Sequence, residues 1–147
     1  MTAPITTTTP PAELAALLRP SLLRLTRIVR QQRVDMSVTL TQLSALASLH
    51  LHGPMSAGDL AAVERVQPPS MTKVIAMLEE HGLARRDSHP SDKRQAIIAI
   101  TPAGVELLEE EGRSRDAWLA RRLSGLTASE RALLLRVVPI LDRLAEQ

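Results

Sequence analysis

Residues 56–101 read SAGDLAAVERVQPPSMTKVIAMLEEHGLARRDSHPSDKRQAIIAIT. Ser56 offers a hydroxyl that can cap a helix, with Asp59 three residues on as an acidic version of the capping box. Leu60, Ala61 and Val63 give that short helix an apolar side, and it ends near Arg65. A second helix starts at Gln67 and opens on Pro68-Pro69, which suit a first turn whose amides have no intrahelical partner. Met71, Val74, Ile75 and Leu78 fall at i, i+3, i+4 and i+7 and predict one buried stripe. Pro69, Ser70, Thr72, Lys73 and Met77 lie on the other side of its first turns. Gly82 stands where the chain leaves the helix through a left-handed residue.

Two strands follow, Leu83 to Arg86 and Gln95 to Ile100, joined by the polar tip Asp87-Ser88-His89-Pro90-Ser91-Asp92-Lys93-Arg94. A helix pair followed by a cationic hairpin is a device for reading duplex DNA. One helix end enters a groove while the basic arm reaches the next. A helix that approaches base edges needs small or hydrogen-bonding side chains at its start. Gln67, Pro69, Ser70, Thr72 and Lys73 meet that need. Arg94 is the side chain expected in the minor groove. Lys93, Arg85 and Arg86 are expected to add phosphate contacts. Asp92 would repel phosphate, so its role is to hold an arginine or the loop backbone in place.

Outward from this segment, helix dominates. The Thr/Pro-rich residues 1–11 are read as a disordered tail without the charged and apolar regions of a signal peptide. A long helix spans about Ala12 to Arg33, with Leu14, Leu17, Leu18, Leu22, Leu25, Ile28 and Val29 at helical spacing. Pro20 is expected to kink or restart it. Arg19, Arg24, Arg27, Arg30 and Arg33 form its opposite face, read as solvated, with a supporting contact to DNA phosphate as the alternative. Another helix covers about Leu40 to Leu51, with Leu43, Leu46 and Leu49 inward, and Gly53-Pro54 stops it. Thr101-Pro102 starts a fifth helix reaching about Ser124, and Thr127-Ala128-Ser129-Glu130 is a full capping box for the last one, which Pro139 should bend. Glu109-Glu110-Glu111 are read as an exposed acidic run that serves solubility.

The whole chain is 147 residues with a formal net charge of +2, so local placement of charge matters more than its total. It has no cysteine, which excludes disulfides and cysteine-ligated zinc. His50-x-His52, with Glu64 or His81 beside it, is a poor ligand set, and no metal or cofactor is expected. Phosphate-binding glycine loops, nucleophile elbows and metalloprotease patterns do not occur, so an enzyme is not expected. No run is long enough to cross a bilayer, and a cytoplasmic protein with no membrane partner is expected. The predicted fold is mainly α. A winged helix-turn-helix lobe with a two-stranded hairpin covers residues 36–101, and residues 12–35 and 102–147 supply dimerisation helices. The terminal helices carry more apolar surface than one small lobe can cover, which points to a homodimer.

The quoted segment resembles the MarR (multiple antibiotic resistance regulator) family of winged helix-turn-helix transcription factors. The matching residues are Leu40-Thr41-Gln42-Leu43, Gly53-Pro54-Met55-Ser56, Leu60-Ala61 and Ser70-Met71-Thr72-Lys73. The match continues through Leu78 to Arg86, the wing residues Asp92-Lys93-Arg94, and Ile100-Thr101-Pro102-Ala103-Gly104. Family members often carry Arg after the recognition-helix Thr, where this chain has Lys73. The resemblance implies a homodimer that binds a pseudo-palindromic DNA operator, usually as a repressor, with a small phenolic or anionic effector. Arg27, Arg30, His50 and Trp118 are the candidate effector residues. A satisfied core histidine is the competing reading for His50, and dimer-interface core for Trp118. The alternative function is a winged-helix module that binds a protein or small molecule without reading DNA.

Overall fold

The computed structural model describes residues 9–146. Residues 1–8 of the expected tail lie outside the described residues, and helix already begins at Pro11. Six helices and a small sheet follow in the order α1 (Pro11–Arg30), α2 (Leu40–His52), β1 (Met55–Ser56), α3 (Ala57–Glu64), α4 (Pro68–Glu80), β2 (Ala84–Ser88), β3 (Ala96–Ile100), α5 (Pro102–Ser124) and α6 (Ala128–Ala145). The mainly helical winged-helix class read from the sequence is the observed one.

Short polar motifs set the element boundaries. Thr39 and Gln42 close a reciprocal capping box at α2, and Thr127 and Glu130 do the same at α6. Ser56 caps α3 by accepting from the Asp59 amide, but no return bond from the Asp59 side chain completes a box. Gly82 takes φ +70°, the left-handed exit expected after α4. At Gly104 a Cβ would sit 2.3 Å from the Leu83 carbonyl oxygen, so only glycine lets the start of α5 seat against the turn into the wing. The prolines inside α1 and α6 do not interrupt them: each is one continuous helix through Pro20 and Pro139.

The core lies within the central lobe, with Leu107 of α5 added to it. Leu46, Leu49, Leu60, Met71, Ile75, Leu78 and Ile98 are fully buried where α2, α3, α4 and the sheet converge, and each contributes about 1.5–3 kcal/mol of transfer free energy. The apolar stripe predicted for α4 is this core's centre. Val63 departs from the expectation, being exposed at 47% rather than packed with Leu60 and Ala61. The sheet has three antiparallel strands in the order β1-β3-β2, one more than the hairpin alone. The extra strand pairs Met55 with Ile98 and Ser56 with Ile97. Its two residues are too short for periodicity to show in sequence.

Two charged positions differ from the sequence reading. Glu111 is not on an exposed face but 1% accessible. Its Oε1 accepts from the amides of Val34 (3.1 Å) and Asp35 (3.2 Å) and from Nε of Arg33 (3.4 Å). Arg33 accordingly lies beyond the end of α1 instead of on its solvated face, and its guanidinium also donates to the carbonyls of Asp35 and Val38. One buried carboxylate on α5 thus fixes the linker between α1 and α2, because amides turned inward there have no other acceptor. Among the described residues, no helix is long and apolar enough to cross a membrane.

Candidate nucleic-acid interface

Gln67 is the N-cap residue of α4 without a side-chain cap bond, and Pro68 and Pro69 occupy the first two helical positions. The Ser70 and Met71 amides both donate to the Gln67 carbonyl, at 2.9 and 3.1 Å. No amide of that first turn is left to hold an anion, so chemistry at this end belongs to side chains. Gln67, Pro69, Ser70, Thr72 and Lys73 are all exposed there. The Thr72 hydroxyl donates to the Pro68 carbonyl at 3.0 Å, which fixes its rotamer and leaves its lone pairs outward as acceptors.

The wing is a regular ladder from Ala84↔Ile100 to Ser88↔Ala96. Beyond it, the tip is held by its own polar groups. The amides of Ser91 and Asp92 both donate to Nδ1 of His89 at 3.1 Å, so that nitrogen acts as an acceptor. The Asp92 carboxylate accepts from the Arg94 amide at 3.0 Å, and its carbonyl from the Gln95 amide at 3.1 Å. Asp92 therefore holds loop backbone, one of the two roles expected of it.

Four basic residues on the wing divide into two kinds. Arg85 pairs with Asp87 at 3.0 Å, and Arg86 pairs with Glu79 of α4 through two bonds of 3.1 Å. Glu79 holds the Arg86 guanidinium above its ordinary pKa, chiefly through those hydrogen bonds. Lys93 and Arg94 at the tip, like Lys73 on α4, are exposed and have no carboxylate within ion-pair distance among the described residues. Among the basic residues of α4 and the wing, those free for an external partner are thus Lys73, one turn into the helix, and Lys93 and Arg94 at the hairpin tip.

The candidate effector residues are not brought together. Arg30 lines a cavity of about 250 Å³ between α1, α2 and α5, with Leu40, Leu43, Leu108, Glu111 and Arg115. Arg27, His50 and Trp118 do not line it. His50 is exposed rather than a core histidine, since the inward face of α2 is taken by Leu43, Leu46 and Leu49. Trp118 is half-buried, with the Arg122 guanidinium 5.3 Å from its ring centroid. The sequence reading missed Arg115 and Glu111. The spacing of Gly104, Leu107 and Glu111 along one face of α5, with Arg115 one turn further, was the available signal. No group of three His, Cys, Asp or Glu placed for a metal occurs among the described residues.

A family model described as MarR family matches residues 38–96, the lobe that holds the core, α4 and most of the wing. An HTH-type transcriptional regulator of Mycobacterium tuberculosis is 41% identical over 136 residues, spanning 92% of this chain and 95% of its own. The HTH-type transcriptional repressor MdtR of Bacillus subtilis is 34% identical over 109 residues, 74% of this chain and 68% of its own. The crystal structure of a Pseudomonas aeruginosa protein described as a transcriptional regulator superposes with a TM-score of 0.82 at 32% identity, covering 92% of this chain and 96% of that one.

Proposed function

The chain belongs to the MarR family, and from that premise we propose that it is a sequence-specific DNA-binding transcriptional regulator acting as a homodimer on a pseudo-palindromic operator. The carrying observation is that Lys73 near the start of α4 and Lys93 and Arg94 at the hairpin tip are exposed and have no acidic partner among the described residues. In this reading α4 of each subunit enters a major groove. Ser70 and Thr72 bond base or phosphate there, Lys73 reaches guanine O6 or N7, and Pro69 meets a thymine methyl. Arg94 enters the adjacent minor groove, where a narrow A·T-rich duplex has the strongest negative potential.

Pairing of two chains is supported by α1 and α6, neither of which has a buried residue. Leu17, Leu23, Leu133, Leu135 and Leu144 are each at least 60% exposed. A single chain leaves that apolar surface in water, and a second copy is the economical cover. Repression is the action favoured, because MdtR is named a repressor. The cavity at Arg30 and Arg115 supports a small anionic or phenolic effector, its charge on the guanidinium groups and its ring against Leu40, Leu43 and Leu108.

The test is an anisotropy titration of a duplex selected from a random DNA pool. Arg94→Ala should weaken binding by about 1–3 kcal/mol, most on A·T-rich flanks. Unchanged affinity would remove the wing from the mechanism. Failure of the unmodified protein to retain any duplex at low salt would remove the DNA reading itself.

A further inference from the structure

We propose that Glu79 and Arg86 form a clamp that sets the angle between the recognition helix and the wing, making both of them positioning residues and neither a DNA contact. This inference rests on the DNA-binding reading above. Glu79 lies at the last turn of α4 and Arg86 in the middle of β2, seven residues on across the Gly82 turn. The guanidinium Nε donates to Oε1 and Nη2 to Oε2, both at 3.1 Å, a parallel fork that fixes orientation as well as distance.

The topology shows why such a fix has consequences. In the order β1-β3-β2, β2 is an edge strand with a ladder on one side only. Its inner end is held by the buried Ala84 and by the Leu83 amide, which donates to the Leu78 carbonyl at 2.9 Å. From Arg85 to Ser88 every residue of β2 is exposed, so packing does not define the tilt of its outer half. The fork from Glu79 acts there. Arg86 pairs in register with Ile98 on β3, and Arg94 lies two residues before that strand. A change of tilt at Arg86 is therefore carried along the ladder to the tip. The fork occupies Nε and Nη2, so a phosphate could take only the Nη1 edge of a guanidinium whose charge Glu79 already offsets. That phosphate would also meet the Glu79 carboxylate at close range.

The two roles predict opposite signs. If Arg86 binds phosphate, Glu79→Ala frees its guanidinium, tightens binding and steepens the salt dependence. If the pair is a clamp, removing an acid from a DNA-binding lobe weakens binding instead. Four proteins are titrated on the selected duplex: unmodified, Glu79→Ala, Arg94→Ala and the double variant. The clamp gives a loss of about three- to tenfold for Glu79→Ala, and a double variant no weaker than Arg94→Ala alone, because a misplaced wing has already lost what Arg94 supplies. The exchange of Glu79→Arg with Arg86→Glu should recover most of the loss, which separate roles for the two charges would not allow.

Exposed pairs contribute little to folding, so the melting temperature should hardly move, and Glu79→Gln serves as the second variant if Glu79→Ala melts early. Unchanged or tighter binding by the Glu79 variants, or additive losses in the double variant, would overturn the clamp. The regulator reading survives that result as long as the unmodified protein binds and Arg94→Ala weakens it. No binding by the unmodified protein would end both.

Discussion

The central lobe and the terminal helices solve opposite problems with the same residue types. Between Val38 and Leu107 a set of aliphatic side chains reaches zero or near-zero exposure and closes a core from one chain. In α1 and α6 no residue is buried, and most leucines at helical spacing stay exposed. Periodicity alone does not separate the two, since α1 is as strongly amphipathic as α4. The difference lies in what each stripe meets. The α4 stripe has α2, α3 and the sheet around it, whereas α1 and α6 meet too little of their own chain. Apolar patterning therefore reports that a face will be covered, and the contact set reports whether the cover comes from within.

The sharpest way to break this contrast is to truncate one leucine or isoleucine in each region. Ile75→Ala, in the lobe core, should cost about 2–5 kcal/mol at every protein concentration, read by urea denaturation. Leu17→Ala, at 65% exposure in α1, should act only through association, so its effect on the melting temperature shrinks on dilution. Equal, concentration-independent losses at the two sites would mean that α1 is covered within its own chain.

A smaller effect sharpens the contrast from the other side, since α6 must hold its start without a core. Glu130 accepts from the Thr127 amide (2.8 Å) and hydroxyl (2.9 Å), and those bonds, the backbone one first, lower its pKa below the ordinary value of 4.5. A depressed carboxyl stabilises the fold above its unfolded value and loses that contribution as pH falls through the folded one. The melting-temperature gap between the unmodified protein and Glu130→Ala should thus be full at pH 6 and close as pH drops below 4.5. A gap that persists in acid would show that the ionised carboxylate is not what holds the cap.

Much of this was legible because local chemistry coincides with global position. Thr101, Thr127, Gly82 and the Met71/Ile75/Leu78 stripe each carry their structural role within four or five residues of sequence. The start of α4 and the wing tip were equally readable, since they are made of consecutive polar residues beside strong boundary signals. What stayed hidden depends on distant partners. Glu111 sits in a run of three glutamates, and only the amides of Val34 and Asp35, more than seventy residues away, select it for burial. Arg33 could not be told from the other α1 arginines without knowing that the helix ends at Arg30. Arg85 and Arg86 looked like equivalent phosphate ligands until Asp87 and Glu79 were seen to engage them.

In the proposed function, two chains present α4 and the wing to one duplex together. Native mass spectrometry of the protein with a selected operator-length duplex measures that directly. Two chains per duplex are expected, with no single-chain complex at protein concentrations that half-saturate the DNA. A stable complex of one chain with one duplex, or a paired protein that carries no DNA, would contradict it.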